Sequence, residues 1–373
     1  MLLMCVTGAA LGFEKQIVRW AERKQRSVTA NAGAQRLPME SLLAQIPAES
    51  SVPTTIVWHP APNSTLELGF GRDRVIFLDP YTGAKRGEGN LRVRGFFNEV
   101  ENLHRWLGAD GSARTTTRAI TGAANLIFLF LACSGLYLWW PRNWTWNAVK
   151  AVMTFRSGLS GRARDFNWHN TIGFWMCLPL IMIVICSTAM SYQWANNLVY
   201  RLSGSPIPAA NAGQRPPEQG KEQKQAPELE GLTALCVAAE KKVAEWQTIT
   251  MRMPTGKSPN VVFQIDAGDG GRPDKRSQLT LNRKTGEEVR WELFSNNSRG
   301  RQIRAWMRFV HTGEGGGVIG QGFASAASLG GVFLAYTGIA MAIRRLAAWR
   351  GKAKLQKLDC VGTSYKSLAR RTD

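Results

Sequence analysis

The sequence predicts a mainly α-helical membrane protein with four crossings, two small α+β modules outside the bilayer, and an internal tandem duplication. Three observations lead there. Charge is spread so unevenly that four runs carry none: 13 residues at Met1–Phe13, 23 at Ala119–Pro141, 35 at Phe166–Tyr200 and 29 at Gly315–Ile343. Histidine is scarce, four among 373 residues, and three of the four precede or begin such runs at equivalent corners. The same motifs also recur in the two halves of the chain.

A hydrocarbon core about 30 Å thick takes roughly 20 apolar residues in helix, so the last three runs are long enough to cross it. Met1–Phe13 would cover only about 20 Å. His169 precedes Cys186 by 17 residues, and the same count back from Cys5 falls before Met1. The expectation is that the first run is the end of a longer native helix.

The net charge of +20 could suggest nucleic acid, but the basic residues form no aromatic-interleaved surface. They flank the apolar runs instead. Arg142, Lys150, Arg156, Arg162 and Arg164 lie between the second and third, and Arg344, Arg345, Arg350, Lys352, Lys354 and Lys357 follow the fourth. The excess of positive charge on cytoplasmic loops places both segments inside. Arg19, Arg23, Lys24 and Arg26 fall on the outer side in this scheme and are discordant with it. The tryptophans near the runs fit an interfacial belt.

Two outer segments remain. The first holds a helix-like stretch at Met39–Ile46 and strand-like stretches at Thr54–Trp58 and Leu66–Leu78. The second repeats the order, with Leu232–Trp246 followed by Thr248–Met253, Val261–Ile265 and Gln278–Asn282. Each ends in the frame Leu-(Asp/Asn)-x-x-Thr-Gly, at Leu78–Gly83 and Leu281–Gly286. There the Asp or Asn can accept from backbone two residues on, and Gly supplies a positive φ. An amphipathic helix ending in histidine and glycine follows each: Phe96–His104 with Gly108, and Ile303–His311 with Gly313. Then come spans with matching small-residue steps, Cys133-Ser134-Gly135 and Tyr336-Thr337-Gly338; Cys5-Val6-Thr7-Gly8 likewise matches Cys186-Ser187-Thr188.

The expected organisation is a first membrane helix and extension (1–26), a module (27–95), an interfacial helix and second span (96–141), and a basic cytoplasmic loop (142–165). A third span (166–200), a second module (201–300) with a Pro-rich disordered insertion (203–228), an interfacial helix and fourth span (301–345) and a basic tail (346–373), expected to be poorly ordered, complete it.

The chemistry-bearing patterns are few. Six cysteines form no C-x-x-C, no zinc spacing and no C-x-x-C-H for covalent haem, and those in apolar runs read as packing residues. Met1–Phe13 is not expected to be a cleavable signal peptide, and the sequence shows no G-x-S-x-G, H-E-x-x-H, Walker loop or dinucleotide-binding glycine fingerprint. Any reductase built on this chain would take its electrons from a membrane pool or a partner. The glycines at 313 and 315–317 read as a tight elbow.

That leaves the histidines. His104 and His311 precede spans on the outer side, and His169 begins one on the inner side. Interfacial histidines often serve as caps or anchors, but three at corners matched by a repeat point to ligands, because ionisable groups at membrane depth are costly. Imidazoles on facing helices are axial ligands for haem iron. His104 and His311 are the candidate pair for one haem b, and His169 for a second, its partner expected upstream of Met1. Arg304 and Arg308, with Arg301, share or flank the face of His311 and would neutralise propionates or an anionic substrate, or snorkel to headgroups. His59, beside Pro60 in the first module, breaks the pattern and is set aside.

With Leu78–Gly83, Leu103–Gly108, Ser134–Arg142, Trp168–Gly173 and Val310–Gly313 assembled, the chain resembles the PepSY-associated transmembrane family over about Met1 to Arg350. The resemblance implies a four-span protein of the bacterial inner membrane with periplasmic PepSY modules. The family includes iron-regulated inner-membrane proteins and siderophore reductases, some of which carry two b-type haems and release iron as Fe(II). Its histidine corners match His104, His169 and His311. A His-x-Trp-x-Gly type motif usually precedes the first span and is lacking here. The implied activity is reduction of a periplasmic ferric siderophore, with electrons from quinol or a cytoplasmic reductase. A non-redox binding or regulatory protein and a siderophore transport component are the alternatives.

Overall fold

The computed structural model describes residues 1–30, 33–46, 52–71, 74–139, 145–208, 230–254 and 258–369. Trp140, Pro141 and Arg142, and the insertion from residue 209 onward, lie outside the described residues.

The chain opens with two short helices, α1 (Leu2–Leu11) and α2 (Glu14–Ala21). The first module contributes α3 (Met39–Ala44) and strands β1 (Thr55–Trp58), β2 (Leu66–Phe70), β3 (Arg74–Leu78) and β4 (Lys85–Glu88). Next come α4 (Leu91–Trp106), α5 (Ala113–Trp139), α6 (Trp146–Met153), α7 (Gly161–Ser191) and α8 (Gln193–Leu202). The second module supplies α9 (Leu232–Lys242), β5 (Thr248–Arg252), β6 (Asn260–Asp266), β7 (Arg276–Asn282) and β8 (Glu288–Leu293), and α10 (Arg299–Thr312) and α11 (Gly317–Ala369) follow.

The two strand-bearing segments, expected as separate modules, join edge to edge. β1 pairs antiparallel with β5, giving one eight-stranded sheet in the order β4-β3-β2-β1-β5-β6-β7-β8. Alternation along the strands puts Ile56, Leu68, Ile249, Met251, Phe263, Ile265 and Leu279 on one face. There they are buried against Leu42 and Leu43 of α3 and Leu232, Leu235 and Ala239 of α9. The seam is therefore the middle of a single core. Across the opposite face the register aligns Glu67, Val57, Thr250, Gln264, Gln278 and Glu292, a mostly polar row. The helices over the core are tied directly, since Thr233 N donates to Glu40 Oε1 (2.8 Å) and Met39 N donates to Thr233 Oγ1 (2.7 Å).

Both Thr-Gly turns form as their chemistry dictates. Asp79 Oδ1 accepts from Tyr81 N (2.9 Å) ahead of Gly83 at φ 73°, and Asn282 Oδ1 accepts from Lys284 N (2.9 Å) ahead of Gly286 at φ 72°. Each leads into an edge strand that hydropathy does not reveal, because β4 and β8 expose charged side chains as sheet edges do.

Among the described residues, three helices are long and apolar enough to cross a membrane: Ala113–Trp139, Gly161–Ser191 and Glu314–Gly351, with mean hydropathy 1.9, 2.2 and 1.7. Large apolar side chains such as Phe130, Leu138, Ile319 and Phe323 point outward from them, as lipid contact requires. α1 is apolar but only 10 residues long. α7 packs against α5, α10 and α11, and α1 against α4 and α11. The third span differs from the expected 166–200: the charge-free run breaks at Tyr192, whose extended backbone (φ −116°, ψ 132°) separates α7 from α8. The basic tail also differs from expectation, because α11 continues as helix to Ala369.

Candidate functional site

The end of α4 carries His104. Asn90 caps the helix by accepting from Val93 N (3.1 Å), and the helix stops at Leu107, a left-handed residue, and Gly108. α10 is built alike. Ser298 accepts from Arg301 N, and Gly313 at φ 74° ends the helix two residues after His311. A Cβ at Gly313 would lie 2.4 Å from Gly320 O, so only glycine allows α11 to return so closely. This is the elbow expected from the glycine cluster.

These two ends bring His104 and His311 together, with ring centroids 6.4 Å apart and planes at 54°. His104 Nδ1 is 2.8 Å from Thr7 Oγ1 on α1. His311 Nδ1 donates to the Ile183 carbonyl of α7 at 3.0 Å. A carbonyl can only accept, so His311 carries its proton on Nδ1 and presents a lone pair at Nε2. Burial, and next the neighbouring His311, lowers His104 to a pKa of about 4; burial also lowers His311. Both rings are neutral at neutral pH, the form that binds a metal.

The pair fits a bis-imidazole site. A metal held by two ring nitrogens at about 2.0–2.1 Å each puts the centroids roughly 6–6.5 Å apart, which brackets the observed separation. The 54° between planes is no obstacle, because two imidazoles can share one metal at any angle between their ring planes. Among the described residues no group of three or more His, Cys, Asp and Glu gathers as a metal-ion site.

His169 stands apart on α7, with Nδ1 2.8 Å from Thr337 Oγ1 of α11. His59 is placed differently from the other three. Its Nδ1 lies 3.0 Å from Gln247 O, just ahead of β5, and its Nε2 3.4 Å from Glu67 of β2, so its nitrogens serve the sheet on both sides of β1. Arg304 Nε donates to Asn196 Oδ1 of α8 (2.9 Å), and the exposed Arg308 lies over the Phe309 ring. Neither makes a hydrogen bond to a histidine among the described residues. Sequence reasoning did not reach the roles of Thr7, Ile183 and Thr337. The two Thr-Gly steps were visible as small-residue motifs, but only the fold says which ring each meets.

Membrane helices, an antiparallel sheet outside them and paired histidines at helix ends together define a multi-pass membrane protein with an extramembrane PepSY-type region. A family model described as the PepSY-associated TM region matches residues 1–345, and the chain belongs to that family. A search of curated proteins finds no match.

Proposed function

We propose that this protein is a haem b oxidoreductase of the bacterial inner membrane that reduces a ferric siderophore on the periplasmic side for iron uptake. The chain would be a duplicated unit crossing the membrane four times, with both modules in the periplasm. One observation supports the reading: the imidazoles of His104 and His311, from different helices, stand with ring centroids 6.4 Å apart, about the separation of two imidazoles that share one metal.

Bound haem b would supply a one-electron Fe(III)/Fe(II) couple. The rest falls to the chain's own residues. His104 and His311 offer Nε2 lone pairs, Thr7 and the Ile183 carbonyl orient the rings, and the apolar helices keep water from them. His169 would be the residue that holds a second haem nearer the cytoplasm. The polar row from Glu67 to Glu292 would present hydrogen-bonding groups to a hydrophilic Fe(III) chelate. Each Fe(III) takes one electron, drawn from quinol or a cytoplasmic reductase. Arg304 and Arg308 would balance propionate or substrate charge.

The test is the spectrum of protein purified from haem-replete cells. Dithionite should bring up bis-imidazole bands, His104→Ala and His311→Ala should each remove the same component, and reduced protein should turn a ferric siderophore into chelator-trapped Fe(II). Colourless protein, with a cellular phenotype that survives both substitutions, returns the chain to the non-redox binding, regulatory or transport readings.

A further inference from the structure

The same three-part arrangement occurs at His104 and at His169. Thr7 Oγ1 donates to the carbonyl four residues back, Leu3 O, at 2.7 Å, with Met4 O at 3.2 Å. Thr337 Oγ1 donates to Phe333 O at 2.7 Å, with Leu334 O at 3.3 Å. Each oxygen lies 2.8 Å from a histidine Nδ1. In both places glycine follows the threonine. A Cβ at Gly8 would be 3.4 Å from His104 Cε1, and one at Gly338 would be 3.7 Å from His169 Cε1, so each glycine backbone lies against the ring at about one side-chain atom's remove.

We propose that Thr7 and Thr337 are positioning residues that fix His104 and His169 in the Nδ1–H tautomer and aim each Nε2 lone pair at a metal. A hydroxyl has one proton. At 2.7 Å from a carbonyl that cannot donate, the proton lies on the carbonyl side, so the same oxygen meets imidazole as an acceptor. Nδ1 must then donate, and Nε2 is left bare. This is the outer-sphere bond that metal-binding histidines need to fix tautomer and ring orientation.

The duplication does not account for the recurrence. In the repeat, Thr7 matches Thr188 and His104 matches His311, yet Thr188 Oγ1 accepts from Asn125 Nδ2 (2.7 Å) and a carbonyl serves His311. Thr337 matches Ser134, which bonds back to Leu131 O. The Thr-Gly pairing therefore joins non-equivalent helices twice, α1 with α4 and α11 with α7. A shared local requirement explains this and a copied sequence does not.

That iron is the metal rests on the haem reading above, but the tautomer does not, and the test separates them. In cofactor-free protein carrying 15N-labelled histidine, the imidazole shifts of His104 and His169 should report Nδ1–H and bare Nε2. Thr7→Val should change His104 alone and Thr337→Val His169 alone, while Thr7→Ser and Thr337→Ser should retain the parent shifts. In haem-loaded protein, Thr7→Val should shift the EPR signal and raise the reduction potential of the outer site only, because the ring loses the acceptor that makes it a stronger donor. Nε2–H tautomers in the parent protein, or valine variants indistinguishable from serine variants, would overturn the assignment. Correct tautomers in a protein that binds no haem would sink the oxidoreductase reading and leave the positioning role intact.

Discussion

Arg94 grips the buried Glu22 with two hydrogen bonds, Nε to Oε1 at 2.5 Å and Nη2 to Oε2 at 2.8 Å. Arg26 adds a third at 2.9 Å, while its other nitrogen reaches Glu67 of β2. Asn90 N, at the start of α4, donates to the same carboxylate. One anion thus ties the end of α2, the N-terminus of α4 and the sheet together, and α4 carries His104 at its other end. A negative charge at a helix N-terminus is favourable in itself.

Replacing Glu22 leaves two arginines without their buried partner, so Glu22→Ala should destabilise the protein by about 3 kcal/mol. Thermal unfolding in detergent measures this, and Asp79→Ala on the exposed turn serves as a smaller-effect control.

The same carboxylate sets an acid limit. Burial alone would raise Glu22, but the hydrogen bonds and charges of Arg94 and Arg26 outweigh it and hold the pKa below the ordinary 4.5. A depressed carboxylate stabilises the fold at pH values above its unfolded pKa and loses that contribution as pH falls through the folded one. Unfolding temperature should therefore drop below about pH 4.5, and the drop should be shallower in Glu22→Gln, which has no proton to take up.

Inside the membrane region, Asn125 of α5 donates to Thr188 Oγ1 and to the Val184 carbonyl (3.2 Å) of α7. Interhelical hydrogen bonds in lipid are worth about 0.6 kcal/mol on average and up to about 1.7. A double-mutant cycle of Asn125→Leu and Thr188→Val should return a coupling in that range, and additivity would show that the pair contributes nothing.

Much of this arrangement was readable before any coordinates. Charge-free runs located the membrane helices because burying a charge in lipid is costly at every position, so the pattern is local and redundant. The turns at Asp79 and Asn282 were legible because a side chain bonding its own backbone needs no tertiary partner. His104, His169 and His311 stood out by scarcity and placement. What stayed hidden depends on distant contacts. Nothing in the β1 or β5 sequence says that two exposed edges will find each other, Tyr192 carries no breaker signature, and the hydroxyls of Thr7 and Thr337 gain meaning only from helices about 100 and 170 positions away.

At the N-terminal end of α7, Asp165 accepts from Arg344 Nη1 of α11 at 2.6 Å and from its neighbour Arg164. The pair closes the two helices one turn from His169. Asp165→Arg should loosen α7 from α11 and disturb the His169 environment while leaving His104 and His311 unchanged, and Asp165→Arg with Arg344→Asp should restore part of the contact. The 15N shift of His169 in each variant reads this out, and an unshifted signal in Asp165→Arg would show that the ion pair does not hold this end closed.

Gly313 offers the sharpest test of the geometry of the His104 and His311 pair. Its φ of 74° costs an L-residue roughly 1–2 kcal/mol, and a Cβ there would press on both Gly320 O and the Ala324 side chain. The backbone would have to open at the elbow, and that movement is only two residues from His311. Gly313→Ala should therefore lower stability by more than a surface Gly→Ala change does, and should weaken whatever the His104 and His311 pair binds. Gly316→Ala, where a Cβ meets nothing within 4 Å, should leave both properties intact. Thermal unfolding and reduced-minus-oxidised spectra on the two variants measure both effects. Equal behaviour would mean that the α10/α11 elbow does not set the spacing of the rings.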